Sequence, residues 1–177
     1  MTSTPLSVLS LLADPRRSVV AHVAYRARAH LRCERLGTAH DHRARAAVIH
    51  TELLAPESAP SWACDRERLW NHAMDAELRP HSVVARELRA TLWLAQPAPP
   101  RWLREWLQHH IVAQGIVADW SLEEQSTSRC FGFYAVLTTR RFAGEHFGRR
   151  ELSWRLRATQ RMWIRSFEAC REKAGVR

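Results

Sequence analysis

The chain has 177 residues, 46% of them hydrophobic, enough for one well-buried core and too few to expect two, so one domain spanning 1–177 is predicted. Lysine and arginine number 27 against 18 acidic residues, and the formal charge of +9 favours an anionic partner such as nucleic acid. Cys33, Cys64, Cys130 and Cys170 form no C-x-x-C pair, which excludes a zinc knuckle or disulfide framework and fits reduced thiols in the cytoplasm.

Leu6 to Leu12 reads as a short strand. No basic region precedes it, and Asp14-Pro15-Arg16-Arg17 follows it, so it is neither a signal peptide nor a membrane span. A helix is predicted from about Arg17 to Arg35, with a turn at Gly37. At about 100° per residue, Val20, Val23, Ala24, Ala27 and Leu31 form one apolar stripe, with Tyr25, Arg28 and Arg32 on its flank. A phenol among guanidinium groups is a candidate nucleophile toward a phosphodiester; it is equally a tyrosine at the edge of a core face. His22, three residues before Tyr25, is placed to accept the phenolic proton, or is a solvated histidine on the helix face. His40-Asp41-His42 would put both rings on one strand face, or forms a surface turn, and the adjacent His109 and His110 diverge on a helix.

An extended segment at Ala46 to Leu54 ends before Pro56 and Pro60, and Ser61 is a plausible N-cap for a helix reaching about Ala76. Ser82 to Leu94 reads as a strand closed by Gln96-Pro97-Ala98-Pro99-Pro100. Trp102, Trp106, Ile111 and Val112 mark a helix. Ile116 to Leu122 and Phe131 to Thr138 read as strands, separated by the polar Glu123-Glu124-Gln125-Ser126-Thr127-Ser128. A last helix, about Glu151 to Ala174, places Leu152, Leu156, Met162, Trp163 and Phe167 toward a core, leaving Arg155, Arg157, Arg161 and Arg165 to solvent or phosphate.

Blocks of this sequence resemble the N-terminal half of the MobA/MobL relaxases, which nick plasmid DNA at the origin of transfer. Ser18 to Ala29 is similar to the family's segment carrying the nucleophilic tyrosine, and Thr38 to His42 followed by Ala47 to Pro56 resembles its following hairpin. Asp65-Arg66-Glu67-Arg68-Leu69-Trp70-Asn71, Val84-Ala85-Arg86-Glu87-Leu88, Gly115-Ile116-Val117-Ala118-Asp119 and Leu137-Thr138-Thr139-Arg140-Arg141 continue the likeness in the family's order. The resemblance implies an α+β domain with a central, mostly antiparallel β-sheet and packed helices, the HUH-endonuclease-like relaxase fold. It makes Tyr25 the candidate nucleophile, leaving a 5′-phosphotyrosyl link and a free 3′-hydroxyl. His22 and Glu87 become candidate catalytic groups, and Arg26, Arg28, Arg32 and Arg140 candidate DNA contacts.

Such enzymes hold a divalent metal with three histidines, and here the matching positions fall near Glu123 or Glu124, at Gly132 and at Tyr134. Glycine offers no ligand and tyrosine a poor one. Glu87 matches an acidic position of the family, but the next acid on that strand is replaced by Arg89, which repels a cation. The aromatic run Phe131, Phe133 and Tyr134 suggests that space for metal and phosphate has been refilled with packing. No cofactor is expected, magnesium or manganese entering only if activity survives. The family's chain continues past the last helix, whereas this sequence ends at Gly175-Val176-Arg177, as in a truncated relative. The expectation is a relaxase-like protein of plasmid mobilisation with impaired nicking. The alternative is a catalytically inactive binder of single-stranded or hairpin DNA, or an accessory subunit pairing with an active relaxase or other mobilisation proteins.

Overall fold

The structure, a computed structural model, describes residues 4–12, 18–77, 79, 81–125 and 129–176. The expected helix start at Arg17, the Asp14 to Arg17 segment, Ser126 to Ser128 and Arg177 lie outside them. Elements follow in the order β1 (Ser7–Leu12), α1 (Val19–Arg26), β2 (His30–Cys33), β3 (Thr38–Asp41), β4 (Val48–Leu54), α2 (Arg66–Asp75) and β5 (Val83–Trp93). Then come α3 (Arg101–His110), β6 (Ala118–Glu124), β7 (Cys130–Thr138), β8 (Arg140–Ala143), β9 (His146–Arg150) and α4 (Arg157–Lys173).

Five strands build one sheet in the order β1-β5-β7-β6-β4, every neighbouring pair antiparallel. The mixed α+β architecture and antiparallel sheet expected from the sequence are therefore present. Central β7 is buried on both faces, because helices cover each side. On one face α3 and α4 pack a core of Trp106, Trp120, Phe131, Phe133, Trp163 and Phe167. On the other, α1, α2 and the β2–β3 hairpin bury Val20, Val23, Leu31, Leu69 and Trp70 against Ala85, Val117 and Val136. Asp119 anchors α2 to this face, accepting 2.9 Å hydrogen bonds from Arg66 Nε and Trp70 Nε1.

Four expectations fail locally. The first helix ends at Arg26, not Arg35: Ala27 caps it, Arg28 adopts a left-handed backbone (φ 52°), and the chain turns into β2. Leu31 fitted the helical stripe because its strand also buries it; with Cys33 it belongs to a two-residue alternation. Thr38 to Asp41 pairs with β2 around Gly37 (φ 64°), whereas Val48 to Leu54 pairs with β6, so these two segments form no hairpin with each other. Ser61 opens only a 3-10 turn, Ser61–Cys64, and Asp65 is the N-cap of α2, accepting from the Arg68 amide at 3.0 Å. The last helix begins at Arg157, after a 3-10 turn at Leu152–Arg155 that drives Trp154 inward. Leu152, Leu156 and Met162 are consequently exposed at 61%, 58% and 48%, while Trp163 and Phe167 are buried as expected. The β8–β9 hairpin was not foreseen.

Candidate functional site

Strand register decides which side chains share the α1 face of the sheet. Residues directly opposite one another in an antiparallel ladder point to the same side. Glu87 stands opposite Val136 and Val136 opposite Asp119; one step along, Arg89, Tyr134 and Ser121 form a row, and beyond it Thr91, Gly132 and Glu123. Val136 packs in the core beneath α1 and α2, which assigns these rows to that face. Phe131 and Phe133 alternate onto the opposite face, packed with Trp120 and Phe167. Of the aromatic run, only Tyr134 lies on this face. Glu124 pairs with Phe131 and is exposed, so of the two candidate carboxylates it is Glu123 that reaches the site.

Helix α1 lies over these rows because Val19, Val20, Val23 and Ala24 are buried and Ser18 caps its N-terminus, its hydroxyl accepting from the Val20 amide at 3.0 Å. That docking carries His22, Tyr25 and Arg26 to the sheet's polar rows. His22 Nε2 lies 2.9 Å from Glu87 Oε1, so His22 is engaged with Glu87 and not with the Tyr25 phenol. Arg26 Nε donates to the same oxygen at 2.9 Å, its Nη1 to Glu123 Oε2 at 3.4 Å, and its guanidinium carbon rests 3.5 Å from the Tyr134 ring centroid. Arg89 donates to the second oxygen of Glu87. Burial raises the pKa of this fully enclosed carboxyl, but the His22 hydrogen bond and the charges of His22, Arg26 and Arg89 outweigh burial and leave it below the ordinary value.

Tyr25 itself is 42% exposed at the rim of this cluster. Arg45, which no motif or periodicity marks, lays its guanidinium carbon 3.5 Å from the Tyr25 ring centroid, donates to the Tyr25 carbonyl at 2.7 Å and pairs with Glu123. His42 meets the same ring edge-on, centroids 5.4 Å apart. Both residues come from the turn after β3, where the Arg45 amide donates to the His42 carbonyl at 3.1 Å. Next to them Asp41 accepts three bonds from Arg43, which hold its carboxyl far below the usual range.

The remaining candidates are not gathered here. Arg28 follows α1 in the turn and donates to the Arg43 carbonyl at 2.8 Å. Arg32 sits on an exposed position of β2, where its backbone is tied to Glu67 and Asn71 of α2. Arg140 pairs with Glu77 at 2.9 Å beside Arg150 and donates to the Gly148 carbonyl at 2.8 Å. It lies beyond the end of β7, whereas Tyr134 is at that strand's middle.

The residues at the family's metal positions do not fit a divalent ion. Gly132 has no side chain, and Tyr134 is covered by a guanidinium. Both carboxylates, Glu87 and Glu123, are already neutralised by arginine. No group of three or more His, Cys, Asp or Glu side chains among the described residues is arranged to hold a metal.

The class of this α+β domain follows from comparisons with known proteins. The profile of the MobA/MobL family matches residues 17–173. The chain is 30% identical over 149 residues to the conjugal transfer protein TraA of Rhizobium radiobacter, and 26% identical over 149 residues to a probable TraA of Sinorhizobium fredii. Each match covers 77% of this chain and 13% of the relative, so the chain spans a small part of their length. Mobilization protein MobL of Acidithiobacillus ferridurans is 31% identical over 87 residues, 49% of this chain and 22% of that protein. A solved structure described as "Molecular Basis of Vancomycin Resistance Transfer in Staphylococcus aureus" shares the fold, with a TM-score of 0.80 at 20% identity over 97% of this chain and 94% of that one. The chain belongs to the MobA/MobL family.

Proposed function

We propose that this chain is a relaxase-like, DNA-processing domain of plasmid mobilisation that binds single-stranded or hairpin DNA across the Tyr25 face, with metal-dependent nicking impaired. The observation carrying this reading is the Glu87–Arg26–Glu123 bridge over Tyr134, which takes up the acids and the space that a metal would need. An exposed phenol at the rim offers a base a stacking surface, and Arg45 brings a guanidinium to the same rim. The formal charge of +9 supplies sequence-independent attraction. Membership in a family whose relatives are named for conjugal transfer and mobilisation supports the cellular setting, a cytoplasmic one. No described helix is long and apolar enough to cross a membrane.

Chemically, a nick requires the Tyr25 oxygen to attack phosphorus in line while the 3′ oxygen departs, and negative charge grows on the phosphoryl oxygens. Without a metal to polarise and align that phosphate, both charge stabilisation and orientation fall short. The test is a supercoiled plasmid carrying the cognate origin, incubated with magnesium or manganese. DNA retention without metal-stimulated nicking is expected. Nicking that requires the metal and disappears in Tyr25→Phe would establish the full enzyme instead, a reading that the exposure of Tyr25 keeps in play.

A further inference from the structure

We infer that the Arg26 guanidinium is the resident cation of this face, so that the DNA phosphate is bound here without any divalent metal. The inference rests on the DNA-binding reading above and names what neutralises the acids beneath the bound strand. Two carboxylates on strands separated by β7 face the same surface, and uncompensated they would repel phosphate. Arg26 spans them, one nitrogen to each, with its plane against the Tyr134 ring. A guanidinium suits this position because it is planar, permanently charged and weakly hydrated, whereas an ammonium would reach one carboxylate as a point charge.

The neighbours are fitted to that cation. A Cβ built on Gly132 would stand 2.7 Å from Tyr134 Cε2, so the absence of a side chain at residue 132 is what lets the ring lie flat. The ring in turn is the floor on which Arg26 rests. Arg45 and Arg89 bring further positive charge to Glu123 and Glu87, so three guanidinium groups face two carboxylates and the cluster is net positive with no metal present. A divalent ion would have to displace Arg26 from both carboxylates, each of which still holds a second arginine. Even without Arg26, Arg45 and Arg89 stay paired with Glu123 and Glu87, and no three acidic, histidine or cysteine side chains among the described residues are arranged to hold a metal.

Two readouts on the purified full chain separate this inference from the reading it rests on. Manganese binding is followed by electron paramagnetic resonance, and binding of a labelled single-stranded oligonucleotide by fluorescence anisotropy, in EDTA and in manganese. The wild type is expected to bind no manganese at micromolar concentration and to bind the oligonucleotide equally in both buffers. Arg26→Ala is expected to bind DNA about tenfold more weakly in EDTA and in manganese alike, while Arg26→Lys keeps an intermediate, metal-independent affinity. Should circular dichroism show Arg26→Ala unfolded, Arg26→Gln replaces it. Manganese bound by the wild type, or wild-type DNA affinity that rises with manganese, overturns the inference, as does an Arg26→Ala protein that binds DNA normally in EDTA. An oligonucleotide ignored by the wild type in either buffer would instead remove the DNA-binding reading, and manganese uptake would still judge the cation.

Discussion

Glu87 keeps its charge at 0% exposure because His22, Arg26 and Arg89 occupy its two oxygens, so each partner is part of the condition for burying the others. Glu87→Gln removes the charge and strands the arginines, and a loss of about 3 kcal/mol is expected in urea unfolding at neutral pH. The lowered pKa fixes the sign of the pH dependence: Glu87 contributes stability above the ordinary carboxyl value of 4.5 and loses it as pH falls through its lower folded value. The wild type should therefore lose stability in acid, whereas Glu87→Gln should show a flatter acid limb. Gly132→Ala tests the Tyr134 ring: overpacking should cost about 1–3 kcal/mol, and adding Tyr134→Ala should return part of it. Tyr25 and Glu87 stand out in the sequence as candidate site residues, and the structure gathers both around α1. Arg45 does not, because a loop contact 20 positions from Tyr25 leaves no periodic trace, and His42, part of an H-x-H run in the sequence, meets the Tyr25 ring instead of a second histidine. His22 illustrates the converse: helical spacing put it near Tyr25, but a buried carboxylate offers it a stronger partner than an exposed phenol.

Elements were read well wherever one periodicity governed a whole segment. β5, β6 and β7 lie close to their expected bounds, since long apolar strands closed by prolines or polar runs have few alternatives. Failures came at joints. Helix α1 and strand β2 share one hydrophobic face, so a helical stripe runs through Leu31 although the chain has already turned at Arg28. Arg28→Gly relieves the left-handed backbone and should leave thermal stability unchanged or raise it by roughly 0.5–1 kcal/mol. The C-terminal helix misled by one turn: its first turn is 3-10, which rotates Leu156 and Met162 outward and hands the core to Trp154. Leu156→Ser is accordingly expected to shift stability by less than about 0.5 kcal/mol, against about 3–5 kcal/mol for Trp163→Ala.

At the scale of the molecule, one sheet separates two tasks. The α3–α4 face is occupied by a dense aromatic core, while the α1 face ends in a charged rim. A basic face binding a strand through several phosphates predicts oligonucleotide affinity that falls linearly with salt on logarithmic axes, with a shallower slope once Arg45 becomes Ala. In the proposed reading the acids of this rim are held by arginine and not by metal. Crystals grown with manganese and measured at its absorption edge should show no anomalous peak between Glu87 and Glu123, with Arg26 still over the Tyr134 ring; a manganese ion ligated by those carboxylates, with Arg26 swung away, would contradict that reading.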